Sequence, residues 1–262
     1  MASAIQKNLM ILQALANHGS AMTIAELSQS LTMPKQTIHR VVTELERLGA
    51  LSRDLTTDRF TFGPIMRTLA TNVLHTPTLS HITHPILLDL VRTVKETCNI
   101  GILTDQMVTY VDRQECEWPL RVQLQPGSKV PIHCTAIGKL LLAHLKETDR
   151  NRLLQSLSLK RFTDNTFTDI TALDRHLQEI RQSGYALNNE EDCPGLIALA
   201  VPIHDACGQV RAGLAIHAPI SRLSVNQLLD TRVLLDQCAT SLSTALFGNV
   251  AAPATTKPRG TI

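Results

Sequence analysis

The first fifty residues carry two amphipathic helical patterns separated by a short turn. Thr23 and Glu26 form a capping-box pattern, so we expect a helix to begin directly after Thr23. Residues 31–33 form the predicted turn, Pro34 suits the first turn of a second helix, and Gly49 ends that helix. The helical period predicts that one stripe of the second helix is buried, namely Ile38, Val41, Val42, Leu45 and Leu48.

The opposite stripe of the second helix is polar. A helix, a tight turn and a polar-faced second helix form the arrangement that places side chains in a DNA major groove. In this interpretation Gln36, Arg40 and Thr43 contact base edges, and the phosphates are contacted by Lys35 and Arg47. The full predicted DNA-contacting set on this helix is Lys35, Gln36, Thr37, His39, Arg40, Thr43 and Arg47. An ordinary solvated helix face has a similar composition, so this segment alone leaves both interpretations open.

Residues 50–63 favour the DNA-binding interpretation, because they come after the second helix as a predicted two-stranded ribbon. A ribbon in this position is a wing, from which Arg53 and Arg59 would reach the phosphate backbone. A helix ahead of the pair completes a small three-helix core, with Ile5, Leu9, Leu12, Leu15 and Ala16. Together these patterns predict a winged helix-turn-helix.

The rest of the chain alternates helical and strand patterns. A helix over 64–74 connects the N-terminal module to the remainder of the chain, and residues 76–78 break it. Further helices are predicted at 79–97, 136–145 and 148–156, before Gly184, and at 224–247; strands are predicted at 99–104, 107–112, 120–125, 197–203 and 209–218. Hairpins interrupted by helices indicate an α+β fold with a mostly antiparallel sheet and flanking helices. Residues 250–262 are predicted to be a disordered tail.

Composition narrows the class of protein. A length of 262 residues allows two domains, and the formal net charge is only +2. Residues 1–74 hold seven Lys and Arg against five Asp and Glu, which suits a dimer on a specific DNA site better than a non-specific polycation. We find no signal peptide and no run near the roughly 18 apolar residues of a membrane span, so we expect a cytoplasmic protein. The six cysteines include no C-x-x-C pair, which predicts reduced thiols and no metal site.

Four stretches resemble the isocitrate-lyase-regulator (IclR) family of bacterial transcription factors. They are MPKQTIHRVVTELERLG (33–49), PGSKVPIHCTAIGKLLLA (126–143), IRQSGYALNNEEDCPGLIALAVPIHD (180–205) and GLAIHAPISRL (213–223). They occur in the family's order and spacing, so the combined resemblance is specific and covers nearly the whole chain.

The resemblance implies a winged helix-turn-helix domain at 1–63, a linker helix at 64–77 and a GAF-like effector-binding domain at 78–249. It further implies a non-catalytic regulator without a cofactor, acting as a homodimer or a dimer of dimers on a near-palindromic double-stranded operator. Family members repress or activate catabolic genes and respond to small metabolites, often carboxylates. Effector binding would shift the linker helix and so change the spacing of the two wings.

The predicted effector site lies at the start of the helix at 136–145. Thr135 is placed to cap that helix, which leaves the backbone N–H groups of Ala136, Ile137 and Gly138 as donors for an anion. Gly138 would also let a ligand approach the backbone. Under the family alignment, the other residues facing this end are His133, Cys134, Asn188, Glu190, Leu196, Ala198, Ala215 and His217.

Each of these residues also has an ordinary structural explanation. Thr135 could serve as a cap without any ligand, and the histidines as hydrogen-bonded packing residues. For Glu190 and Glu191 the alternatives are solvation, or pairing with Lys129 or Lys139. Two departures from the family pattern, asparagines at 188 and 189 and an alanine at 198, make the pocket less negative. No arginine falls within these segments, so a carboxylate would depend mainly on the helix N–H groups.

Two other functions compete with a DNA-binding regulator. An enzyme would use His133, Cys134, Glu190, Cys193 and His217 as a nucleophile pair or a metal site. No tight ligand spacing supports that hypothesis. A protein-binding module would instead use the apolar row of the last helix, formed by Leu228, Leu235 and Leu242, for which core packing is the simpler interpretation.

Overall fold

The computed structural model describes residues 3–75, 77–119 and 124–248. The chain divides into two compact units, Met1–Thr76 and Pro77–Ile262. No helix among the described residues is long and apolar enough to cross a membrane.

The N-terminal unit contains four helices and a two-stranded antiparallel sheet. Its elements are α1 (Ala4–His18), α2 (Ile24–Leu31), α3 (Lys35–Arg47), β1 (Leu51–Asp54), β2 (Arg59–Phe62) and α4 (Pro64–His75). The predicted capping box is confirmed, since Thr23 and Glu26 bond reciprocally at the start of α2. The predicted turn and wing are confirmed as well. Pro34 lies at the N-cap position, one residue before α3, and Gly49 comes after α3 with a φ of 72°.

The core of this unit uses only part of the predicted stripe of α1, since Leu12 and Leu15 pack into it. Ile11 and Leu15 are buried, whereas Ile5 and Leu9 are 72% and 54% exposed. The two buried positions lie four residues apart on one side of α1. Ala16 lies on another side and is exposed. The predicted stripe of α3 is buried apart from Leu48, which lies beyond the last turn of the helix and is exposed.

In the described residues of the C-terminal unit, a six-stranded antiparallel sheet lies between two layers of helices. In chain order its elements are α5 (Pro77–Val94), β3 (Thr97–Thr104), β4 (Met107–Gln114), β5 (Lys129–Pro131), α6 (Ala136–His144), α7 (Glu147–Ser156), α8 (Ile170–Ser183), β6 (Ala186–Asn189), β7 (Leu196–His204), β8 (Val210–Pro219), α9 (Val225–Asp230) and α10 (Arg232–Phe247). The strand order is β5-β4-β3-β8-β7-β6, and each pairing is antiparallel.

The two faces of this sheet differ in character. One face is large and aliphatic, and packs with residues of α5 and α10; it includes Cys98, Ile100, Leu199, Val201, Leu214 and Ile216. The other face packs against α6 and carries small side chains: Gly101, Gly213, Ala186, Ala198, Ala200 and Ala215. The Leu228, Leu235 and Leu242 row is fully buried, so core packing accounts for it.

Several predicted elements differ from the structure. Strands β5 and β6 were not predicted, because each is only three or four residues long. The last helix is two helices, α9 and α10, that meet at Thr231. The predicted strand at 120–125 falls mostly outside the described residues, and its last two residues are not in a strand. The predicted tail at 250–262 also lies outside the described residues.

Candidate DNA interface and effector site

Helix α3 separates its buried and polar stripes cleanly. Ile38, Val41, Val42 and Leu45 pack into the core. The opposite side chains are exposed: Lys35, Gln36, His39, Arg40, Thr43 and Arg47, with Thr37 half-buried beside them. The predicted DNA-contacting residues of α3 therefore form a solvent-facing row.

The positively charged side chains on this face of α3 differ in whether they form an ion pair. Arg47 pairs with Glu44 one turn earlier, at 2.7 Å, with both side chains at least half exposed. Such a surface pair is weak, so it does not prevent a guanidinium from moving to a phosphate. Within the described residues neither Lys35 nor Arg40 forms an ion pair, so both charges are available to a polyanion.

The wing uses its two arginines differently. Arg53 pairs with Asp58 across the turn at 2.5 Å and stays exposed. Arg59 is half-buried, and its guanidinium donates to the carbonyl of Ala21 at 2.8 Å and to the Glu26 carboxylate at 3.0 and 3.2 Å. The donors of Arg59 tie β2 to the start of α2, which supports a structural role, and its assignment to a DNA phosphate stays a prediction.

At the start of α6, the side chain of Thr135 does not cap the helix. Thr135 occupies the N-cap position, but its hydroxyl donates to the carbonyl of Pro131 at 2.6 Å. Gly138 also has a different role from the predicted one. A Cβ there would lie 2.2 Å from the carbonyl oxygen of Ile132, so the protein's own backbone requires this glycine. The first N–H groups of α6, on Ala136 and Ile137, still lack intrahelical partners.

A buried ion pair joins α6 to the segment after β6. The Lys139 ammonium is fully buried, contacts the Glu191 carboxylate and lies 3.3 Å from the imidazole of His176. Of the alternatives left open for Glu191, pairing with Lys139 is the one observed. Burial lowers the pKa of Lys139 and raises that of Glu191, while each charge favours the charged form of the other. The second Glu191 oxygen accepts no hydrogen bond from the described residues.

Three other predicted residues have structural bonds. His133 is buried and bonds through Nε2 to the carbonyl of Lys160 at 3.0 Å. The Glu190 carboxylate accepts the Gly195 N–H at 2.7 Å and closes the 190–195 turn. Asn188 accepts the Glu191 N–H at 2.8 Å and donates to Asp192 at 2.5 Å. These residues shape the loop beside α6, which was predicted as the pocket rim.

The register of the sheet brings polar residues from distant segments onto the face towards α6. Asn99 lies opposite Arg113 on β4 and opposite Ala215 on β8. In the next row, His217 lies between Thr97 and Ala198, and Ala198 pairs with Asn188. Facing residues in a sheet point to the same side, so the predicted Ala198, Ala215 and His217 share a face with two unpredicted polar residues. Leu196 and Cys134 are also buried.

Asn99, Tyr110 and Arg113 were missed by sequence reasoning. All three are buried, and the Asn99 Oδ1 accepts a hydrogen bond from Nε2 of His217 at 3.1 Å. Their signal was weak: an asparagine and an arginine at positions that the strand pattern would otherwise fill with apolar residues. Their convergence depends on the β4–β3–β8 register, which no local pattern contains.

Burial controls protonation on this face. Burial and the charge of Arg113 lower the pKa of His217 to about 3, so its imidazole is neutral at pH 7. Burial raises the pKa of Tyr110 to about 12 and that of Cys134 to about 12, so both keep their protons. A protonated, buried thiol is a poor nucleophile. Within the described residues no group of three His, Cys, Asp or Glu could hold a metal ion. The arrangement suits ligand binding, with neutral donors around one buried guanidinium.

Comparison with known families matches both units of the chain. The description "IclR helix-turn-helix domain" matches residues 4–55, and "Bacterial transcriptional regulator IclR C-terminal" matches residues 71–244. The chain is similar to the probable transcriptional regulator SauR of Cupriavidus necator, with 39% identity over 87% of this chain and 92% of that protein.

Solved structures show the same fold. The Thermotoga maritima IclR structure matches with a TM-score of 0.63 and 26% identity, over 94% of this chain and 98% of that one. The inducer-binding domain of PobR from Acinetobacter, a double mutant in complex with 3-hydroxybenzoic acid, matches with a TM-score of 0.58 and 31% identity, over 64% of this chain and 98% of that domain.

Proposed function

The chain belongs to the IclR family of bacterial transcriptional regulators, and we propose that it controls a catabolic pathway in response to a small organic acid. In this proposal residues 1–63 bind DNA, 64–77 form the linker and 78–249 bind the effector. A homodimer, or a dimer of dimers, would bind a near-palindromic operator in the cytoplasm.

The exposed polar row of α3 is the observation that carries the DNA-binding half of the proposal. Gln36, Arg40 and Thr43 are proposed to contact base edges, where an arginine fork matches guanine. Lys35, Arg47 and Arg53 are proposed to bind phosphates. Arg59 is left out of this set because its guanidinium ties the wing to α2.

The effector half of the proposal rests on the sheet face beside the start of α6. Its alanines keep large side chains off that face, and buried polar groups from four strands lie on the same face. The PobR domain, which is similar to this chain, is described in complex with 3-hydroxybenzoic acid, which supports a small acid as the class of ligand. We propose that the occupied site shifts α5, which comes after the linker helix in the chain, and thereby changes operator affinity.

Two substitutions on α3 test the DNA interface against each other. We expect Arg40→Ala to weaken binding to the promoter DNA beside the protein's own gene by about 1–3 kcal/mol and to relax specificity at one base position. Arg47→Ala, seven residues further along the same helix, should weaken binding to all DNA sequences alike. It should also lower the slope of log affinity against log salt concentration by about one. Fluorescence anisotropy with labelled duplexes at several salt concentrations measures both effects.

Unchanged operator affinity in Arg40→Ala would remove that residue from the base-contacting set. A full-length protein that shows no salt-dependent binding to any duplex would instead overturn the DNA-binding proposal, and would favour a winged helix that contacts another protein.

A further inference from the structure

The polar face of the C-terminal sheet contains a buried guanidinium that sequence reasoning had placed outside the pocket. Arg113 lies on β4 directly opposite Asn99, and its side chain is 1% exposed. The rings of Tyr110 and His217 lie edge to face with their centroids 6.2 Å apart, and the charge of Arg113 acts to lower the pKa of both side chains. The carboxylate of Glu115 lies 3.8 Å from its Nε and is one-third exposed.

Asn99 supplies a second donor in the same row. It is fully buried, its Oδ1 is bonded to His217, and its Nδ2 forms no well-aligned hydrogen bond with a described residue, although the amide lies close enough to Tyr110 to favour the charged form of its hydroxyl. A buried amide donor that lacks a well-aligned acceptor is costly, so it is rarely retained unless something accepts its hydrogen. Next to a guanidinium, the acceptor of matching chemistry is an oxyanion.

The neighbouring groups limit the charge of that oxyanion. The Tyr110 hydroxyl stays protonated and can donate, and neutral His217 neither adds nor removes charge. Glu115 and Asp192 bring negative charge towards the same face, and Asp192 acts on Tyr110 from the loop after β6. With these carboxylates nearby, a ligand with one negative charge is tolerated better than a ligand with two.

We propose that Arg113 is the specificity-determining residue of the effector site, and that with Asn99 it binds the carboxylate of a small monoanionic acid on the sheet. This inference rests on the proposed function. It departs from the expectation that a carboxylate depends on the N–H groups of α6, where Thr135 and Gly138 instead serve the protein's own backbone. The rest of the ligand would lie against the alanines of the same sheet face.

Matched pairs of acids and primary amides test the proposal on the full-length protein. The probes are acetate and acetamide, lactate and lactamide, and 3-hydroxybenzoate and 3-hydroxybenzamide, at constant ionic strength. Scanning calorimetry measures the Tm of the C-terminal unit, since a ligand of the native state raises it. We expect the acids to raise the Tm and the amides to leave it unchanged.

Substitutions then assign the effect to the sheet. Arg113→Gln should weaken acid binding about 10- to 100-fold, because a charge-assisted bond is lost, and Arg113→Lys should keep part of the affinity. Asn99→Asp should abolish acid binding by like-charge repulsion, and Asn99→Ser provides a milder variant if the aspartate impairs folding. Arg161→Gln, at an exposed arginine of the same unit, is the matched control and should bind acids like the wild type.

The outcomes separate this proposal from the proposed function. Acid binding that survives Arg113→Gln in a folded variant, amides that bind as well as the acids, or no stabilisation by any acid, acetate included, would each overturn the role of Arg113. Operator binding that responds only to amides would also overturn the role of Arg113. It would leave the proposal of an effector-responsive regulator unaffected. A protein that binds no operator would overturn the proposed function itself.

Discussion

The polar face of α3 and the polar face of the C-terminal sheet carry similar side chains, but those of α3 are exposed and those of the sheet are buried. On α3 the polar residues come from one helical segment, are exposed and leave Lys35 and Arg40 without ion pairs among the described residues. On the sheet they come from four strands, are buried and are largely bonded to one another. An exposed charge costs little to keep, whereas each buried one needs a partner.

Because of this difference, we expect a substitution to affect mainly binding on α3 and mainly stability in the sheet. Exposed residues of α3 should change binding with little change in stability. Buried residues of the sheet and of α6 should change stability first, because truncating one partner leaves the other buried and unsatisfied. The comparison predicts effects whose size depends on burial.

The largest effect is expected at the buried ion pair. Lys139→Met should destabilise the C-terminal unit by about 3–5 kcal/mol, because Glu191 would be left charged and buried without its partner. Adding Glu191→Leu should restore much of that loss, since an apolar pair of similar volume needs no compensation. Urea unfolding followed by the fluorescence of Trp118, the single tryptophan, measures this unit.

An exposed ion pair provides the control for the substitutions at Lys139 and Glu191. Arg161 and Asp164 form an i,i+3 pair with both side chains more than half exposed, so Arg161→Met should change the free energy of unfolding by less than about 0.5 kcal/mol. If Lys139→Met were equally silent, the contrast between exposed and buried polar residues would fail.

Local patterns predicted most of the architecture. The capping box at Thr23 and the glycines that follow α3 and α8 were predictable, because each depends on a few neighbouring residues. The recognition face of α3 belongs to the same class, since its 3.6-residue period fixes the buried and exposed sides together.

The sheet face could not be predicted in the same way. Arg113 and Asn99 are 14 positions apart, and only the β4–β3 pairing, with its irregularity at Ile100, makes them neighbours. The bonds of Thr135 and Gly138 likewise depend on where β5 ends, and β5 is too short to leave a pattern. Local sequence patterns therefore could not predict the bonds that Thr135 and Gly138 make near α6.

Acid should destabilise the sheet face through His217. The folded-state pKa of about 3 is below the unfolded value of about 6.5, so its stabilising contribution is complete above pH 6.5 and is lost as the pH falls towards 3. Between pH 7 and pH 5 this amounts to about 2 kcal/mol. The measurement is urea unfolding of wild type and His217→Gln across this range.

The difference between the two proteins isolates His217 from other titrating groups. His144, His176 and His204 also have lowered pKa values and act in the same direction, whereas the raised pKa values of Glu191 and Asp192 act in the opposite one. Parallel pH profiles for wild type and variant would show that His217 does not remain neutral in the folded protein.

The smallest effect is expected at the wing, where Arg59 is intermediate between the two regions. Its ion pair with Glu26 is 39% exposed on both sides, so Arg59→Ala should cost only about 0.2–1 kcal/mol locally. Because Phe60 pairs with Met22 through both backbone hydrogen bonds beside this contact, amide exchange of β2 should accelerate about two- to fivefold. Hydrogen exchange followed by mass spectrometry on the full-length protein measures this, with Arg53→Ala, at an exposed pair, as the matched control. Unchanged exchange together with a lower salt slope for DNA binding would return Arg59 to the phosphate-binding set, and would place it with α3 rather than with the buried residues.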